Sequence, residues 1–171
     1  EQGLPWLNDA DRCALFRYEA PVRDFIVRLK FQHELYWADW FAKMIIQTWE
    51  PPNVDRIVAM PLHPKRQQIR GFNQTLEIAK PLSKAWKIPL DRWSCTRVLH
   101  QKPQSGLSAA ARRRNILPAA FMISPALQSK RILVIEDVIT TGATMKAFEK
   151  ALYAAGVSQV HHLACCYSKR H

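Results

Sequence analysis

The sequence predicts an α/β domain, a mostly parallel sheet flanked by helices, with a helical segment in front of it. Three observations carry this expectation. From Arg56 onward, short apolar runs alternate with longer segments whose apolar residues recur at helical spacing. One run, residues 132–135, has no polar interruption, as a central parallel strand covered on both faces requires. That run leads straight into two acids and a Thr-Thr-Gly turn that opens a helix. Strand–helix–strand alternation implies right-handed crossovers, and ligands then gather at the carboxyl ends of the strands.

The elements follow in order. Residues 1–53 read as a mostly helical hood or packing segment and residues 54–171 as the α/β domain. Pro21 sits where a helix can start, since its missing N–H costs nothing there, and Val22, Phe25, Ile26 and Leu29 then mark one face. A second helix carries Leu35, Trp37, Trp40, Phe41, Met44 and Ile45 and is closed by Pro51 and Pro52. Its aromatic stripe is expected in the core. Residues 56–60 read as a buried strand ending at Pro61, and residues 73–86 as a helix with Asn73 as N-cap and Leu76, Ile78, Ala79 and Leu82 apolar. The polar, basic stretch 101–115 begins as a loop. Residues 121–123 form a short strand and residues 131–135 the central one. Residues 142–155 form a helix with Ala147, Phe148, Ala151, Leu152 and Ala155 inward and Gly156 as its stop, and residues 159–167 a last strand.

Composition narrows the function classes. At 171 residues the chain suits one compact domain that needs no disulfide or metal staples. No apolar run is long enough to span a membrane, and no signal segment follows Glu1, so a cytoplasmic location is expected. Cys13, Cys95, Cys165 and Cys166 lack metal-ligand spacing and are expected as reduced thiols. The net charge of +11 is concentrated: residues 61–115 hold twelve Lys or Arg against Glu77 and Asp91, a local balance of +10. A polyanionic partner follows, whether pyrophosphate, a nucleotide or nucleic acid.

The segment 132–144, ILVIEDVITTGAT, carries the chemistry. A strand delivers Glu136 and Asp137 to its tip, where a sugar's vicinal hydroxyls can donate to them. The turn then exposes backbone N–H groups at a helix N-terminus, an anion site, and Gly142 allows close approach of a phosphate. Carboxylates beside a phosphate pocket make sense once a sugar lies between them, so one ribose 5-phosphate satisfies both ends. After the strand at 56–60, Lys65, Arg66 and Arg70 can face a pyrophosphate, whose charge grows as a glycosidic bond breaks. Arg112, Arg113 and Arg114 lie on a segment able to close over such a site and contact pyrophosphate or DNA. His63, beside two prolines, reads as structural, and Asn73 and Gln74 as helix cap or ligand contacts.

This order of residues resembles the signature of the type I phosphoribosyltransferases, which transfer ribose 5-phosphate from phosphoribosyl pyrophosphate to a nitrogen nucleophile, generally with Mg²⁺. The resemblance implies that Glu136 and Asp137 contact the ribose hydroxyls and that Thr140, Thr141, Gly142, Ala143 and Thr144 hold the 5-phosphate. Mg²⁺ would arrive with the ligand and take no direct protein ligand. PLHPKR at 61–66 with RGFNQ at 70–74, and QSGLS at 104–108 with RRRN at 112–115, are together similar to the ComF/GntX-type proteins. That phosphoribosyltransferase-like family is associated with competence and DNA uptake or utilisation. Tyr18, Pro21, Val22, Arg23 and Leu29-Lys30-Phe31 extend the resemblance over nearly the whole chain. Family members often carry a cysteine-rich, zinc-binding segment, expected here upstream of Glu1, and the spacing from Asn115 to Phe121 is slightly longer than usual.

Three functions then compete. The first is a phosphoribosyltransferase acting on a base, including a nucleobase-salvage enzyme. The second is a module that binds phosphoribosyl pyrophosphate or a nucleotide while its basic face holds single-stranded DNA. The third is an interaction component for other DNA-uptake proteins, against which the complete loop at 136–144 argues. With few residues after Tyr167, any hood over an acceptor base is expected from the N-terminal helices.

Overall fold

The computed structural model describes residues 12–98 and 120–168. Its strands are β1 (Arg12–Arg17), β2 (Arg56–Ala59), β3 (Leu90–Asp91), β4 (Cys95–Arg97), β5 (Phe121–Ile123), β6 (Arg131–Ile139) and β7 (Gln159–Tyr167). Its helices are α1 (Val22–Phe31), α2 (Tyr36–Thr48), α3 (Pro64–Arg70), α4 (Gln74–Trp86) and α5 (Ala143–Ala154). Five strands form one parallel sheet in the order β1-β7-β6-β2-β3, and β4 and β5 form a separate antiparallel ribbon.

The period of two along β6 sorts its side chains between two layers. Leu133 and Ile135 join Ile26, Leu29, Phe41, Ile45, Ile78 and Leu82 in the core beneath α1, α2 and α4. Ile132 and Val134 join Phe148, Leu152 and Phe121 in the core beneath α5. The aromatic stripe of α2 packs as core and core rim: Trp37 stacks on Phe25 with ring centroids 3.8 Å apart, and Trp40 lies against Phe16. At the start of β2, Asp55 accepts from the Arg131 backbone N–H at 2.8 Å and from its guanidinium at 2.8 Å, which pins β2 to β6. That pairing holds the Asp55 carboxyl well below the usual range. All four cysteines are free, and Cys95 alone among them is only partly buried. Burial pushes the Cys166 thiol up to about 12.

Several expectations change in detail. The N-terminal segment is not only helical, because Arg12–Arg17 pairs with β7 and puts a strand of that segment into the main sheet. The Phe121–Ile123 strand leaves the main sheet for the ribbon with β4. β6 runs on past Ile135 to Ile139, since pairing with β7 continues through Val138 and Ile139. A short helix, α3, follows Pro61 in a segment for which no element was expected, with Pro64 at its first turn and Gly71 closing it at φ 77°. On α5, Ala147 is exposed and Met145 takes the inward place, because 145, 148 and 152 form the buried stripe.

Candidate functional site

Consecutive residues of a strand face opposite ways, so Glu136 and Asp137 part company at the end of β6. Asp137 turns toward α1 and α4. Its Oδ2 lies 2.6 Å from Lys30 Nζ and accepts from Gln74 Nε2 at 2.6 Å, while Oδ1 accepts from the Val138 N–H at 2.5 Å. Burial would raise its pKa, but the Lys30 ammonium and these hydrogen bonds more than offset that and hold the carboxyl below its ordinary value. Gln74 is itself fixed by the Arg70 guanidinium, which donates to its Oε1. Asn73 caps α4 by accepting from the Thr75 N–H at 3.0 Å, and its own amide donates to the Met60 carbonyl at 3.1 Å. The cap reading of Asn73 therefore stands, and Gln74 beside it faces the site.

Glu136 points the other way and is 6% exposed. Its burial raises the carboxyl's pKa, with His162 opposing the shift. After Ile139 the chain turns, and Gly142 starts α5 in the left-handed region at φ 72°, where a side chain would be strained. Thr141 Oγ1 accepts from the Ala143 N–H at 3.4 Å.

These groups surround a cavity of ≈ 330 Å³ at the carboxyl end of β6. Lys30, Arg66, Arg70 and Arg97 line it together with Glu136, Asp137, Thr140 and Thr144. Lys65 is exposed on α3 and does not line it; nor do Thr141, Gly142 and Ala143, which form the turn itself. Arg112, Arg113 and Arg114, and the QSGLS segment, lie outside the described residues. A neighbouring cavity of ≈ 530 Å³ shares Tyr18, Lys30, Arg66 and Arg70 with the first and adds Phe31, His33 and Ile69. Phe31 is 67% exposed there, with the Arg70 guanidinium 5.3 Å from its ring centroid. Among the described residues no group of three or more His, Cys, Asp or Glu is placed to hold a metal ion, and no helix is long and apolar enough to cross a membrane.

Tyr18 and Lys30 entered the sequence reading only as part of the family pattern, without a role at the site, and Arg97, which also lines the cavity, and His162, which packs behind Glu136, were not singled out. Lys30 ends an amphipathic helix, where a basic residue ordinarily reads as complementing the helix dipole. Its place in the Leu29-Lys30-Phe31 segment of the family pattern was the one available signal.

A parallel sheet whose central strand carries two acids near its carboxyl end, followed by a threonine-rich turn into a helix, makes an α/β fold like that of the phosphoribosyltransferases. Among solved structures, the fold is similar to glutamine phosphoribosylpyrophosphate amidotransferase from B. subtilis, with a TM-score of 0.55 and 18% identity over 74% of this chain and 25% of that one. A structure described as the allosteric regulatory enzyme of purine biosynthesis matches at a TM-score of 0.53, also with 18% identity, 74% of this chain and 25% of that one. Among curated proteins, the chain is 30% identical over 156 residues to the DNA utilization protein YhgH of Escherichia coli, covering 87% of this chain and 68% of that protein. It is 32% identical over 154 residues to competence protein F of Haemophilus influenzae, covering 84% and 66%. With competence protein ComFC of Streptococcus pneumoniae the identity is 29% over 147 residues, covering 86% and 64%. No protein-family model matches the chain. The chain belongs to the ComF/GntX-type family of phosphoribosyltransferase-like proteins.

Proposed function

We propose that the cavity at the end of β6 binds phosphoribosyl pyrophosphate or a ribose 5-phosphate ligand, and that the protein serves DNA uptake or utilisation. One observation carries the reading: a single cavity is lined by Glu136 and Asp137, by Thr140 and Thr144 around the turn into α5, and by the cations Lys30, Arg66, Arg70 and Arg97. A sugar diol suits the acids, a 5-phosphate suits Thr140 and Thr144, and a pyrophosphate suits Arg66 and Arg70. Mg²⁺ fits as a companion of the ligand, because it favours phosphate oxygens and water over an all-protein cage. Asp137 already has its own cation in Lys30.

The neighbouring cavity, lined by Phe31 and Ile69, would suit an acceptor ring. Transfer would then proceed by loss of pyrophosphate toward Arg66 and Arg70, whose fixed charges stabilise the departing anion. Phosphoribosyl pyrophosphate with Mg²⁺ is expected to raise the melting temperature, and Asp137→Ala to remove the effect. No shift in the unmutated protein at millimolar ligand would sink the reading, and pyrophosphate release across a panel of bases separates an enzyme from a binding module.

A second reading has its own observation. Trp93, 87% exposed, and Arg92 line a further cavity of ≈ 470 Å³ that shares Pro61, Leu62 and Arg97 with the first. An exposed indole beside arginines suits a stacked base on single-stranded DNA. The relatives named for DNA utilization and competence give that reading a context.

A further inference from the structure

Beneath α5 lies a row of charged groups of which ligand binding, as proposed above, uses only Glu136. Arg12 on β1, His162 on β7 and Val134 on β6 are in register, and Glu136 follows Val134 two residues on, on the same face. His162 is 1% exposed. Its Nδ1 is 3.4 Å from Glu136 Oε1, and its Nε2 is 3.5 Å from Glu149 Oε2, on α5. Glu149 is held in turn by Arg12 at 3.0 Å. Both ring nitrogens and Glu136 Oε1 are buried without a hydrogen bond.

We propose that His162 is a positioning residue that aims the Glu136 carboxylate at the ribose diol and couples it, through Glu149, to the helix that begins at the phosphate loop. The inference rests on the ribose 5-phosphate reading of the cavity. A ring with a carboxyl group at each nitrogen contacts both favourably only when one proton lies on each side of it, because otherwise a lone pair faces a carboxylate. Arg12 and Glu149 then pair with each other at one end of the row, and His162 and Glu136 share a proton at the other. Breaking such a buried row by removing one member is costly. A buried histidine that merely fills space would be expected to have its nitrogens bonded to backbone or side chains.

The spacing matters as much as the charge. At 3.4 and 3.5 Å both contacts are slightly longer than a good N–H···O bond, so a small closing movement completes them. A hydroxyl donating to Glu136 fixes one end of the row, and a phosphate seated at the start of α5 fixes the other. Each event then favours the same position of His162, so sugar and phosphate recognition reinforce one another. Burial pushes the Glu136 carboxyl up, and His162 opposes that shift.

The test compares ribose 5-phosphate, 2-deoxyribose 5-phosphate and inorganic phosphate by calorimetry on the whole chain, unmodified and as His162→Phe and Glu149→Gln. The unmodified chain should prefer the ribose ligand about tenfold, as expected for a hydrogen bond to a charged group. His162→Phe should abolish that preference while inorganic phosphate binds as before, and Glu149→Gln should reduce it. Should His162→Phe fail to fold, Glu149→Gln, at a partly exposed helix position, carries the same comparison. A preference that survives both changes overturns the proposal. So does an equal loss for all three ligands, which would make His162 a packing residue. If the unmodified chain binds neither sugar phosphate, the reading of the cavity itself fails, and this inference with it.

Discussion

Asp137 depends on residues from three elements, and Lys30 is the one whose removal would matter most. Their contact is 2.6 Å long, with both side chains largely screened from water. Lys30→Met leaves the carboxylate with Gln74 and the Val138 N–H but no opposing charge next to it. The loss is expected on the order of 3 kcal/mol, measured by urea unfolding at pH 7, because one partner of a buried pair is gone. An unchanged midpoint would show the pair to be idle. The pH dependence has a definite sign. The Asp137 pKa is lowered in the folded state, so its stabilisation is complete above the ordinary carboxylate range and is lost as pH falls through the lowered value. Thermal scans should therefore show Asp137→Asn lagging the unmodified chain at pH 7, with the gap closing below about pH 4. Glu136, Asp137, Thr140 and Thr144, which line the cavity, were legible because a single contiguous segment holds them. Lys30 and His162 were not, because each reaches the site from a distant element and looks locally like a helix-end cation or a strand residue.

At the scale of elements, legibility followed length and internal pattern. α4, α5, β6 and β7 carry their own periodicity, caps or apolar runs, and their positions follow from it. The two residues of β3 and three of β4 carry too little pattern to be read alone, and β1 is a strand only because β7 lies beside it. α3 is short, and its existence depends on Pro64 at its start and Gly71 at its end. Gly71 has φ 77° and open space where a Cβ would stand, so Gly71→Ala tests backbone conformation without a clash. It should cost about 1–2 kcal/mol in chemical denaturation. Gly71→Asn should cost less, since asparagine enters that region more readily. Equal stability of all three proteins would show that α3 does not need this turn.

For the whole molecule, the parallel character of the sheet was legible from alternation, whereas the order β1-β7-β6-β2-β3 was not. No local pattern says which strand borders which. The charge distribution acts at this scale too, since residues 61–115 concentrate a balance of +10. If single-stranded DNA lies along Trp93 and these cations, affinity should fall steeply with salt. A contact neutralising about four phosphates gives a log–log slope near about −3. Trp93→Ala should remove about 1–3 kcal/mol of binding without altering the salt slope, because stacking releases no counterions. Fluorescence titrations with an oligonucleotide at several salt concentrations measure both, and a flat salt response would exclude the role.

The pairing of β1 with β7 also dictates a timetable. Among the described residues Arg12–Arg17 has one neighbour in the sheet, Gln159–Tyr167, which is made some hundred and forty residues later. Until then β1 lacks that partner, and the carboxylates of β6 lack the wall that β7 supplies. Folding dominated by such distant pairings is slow and leaves strand edges exposed while it waits. A ribosome making this chain therefore holds, while those residues are added, a strand that is a ready target for chaperones, and the cavity at the end of β6 is complete only when β7 arrives.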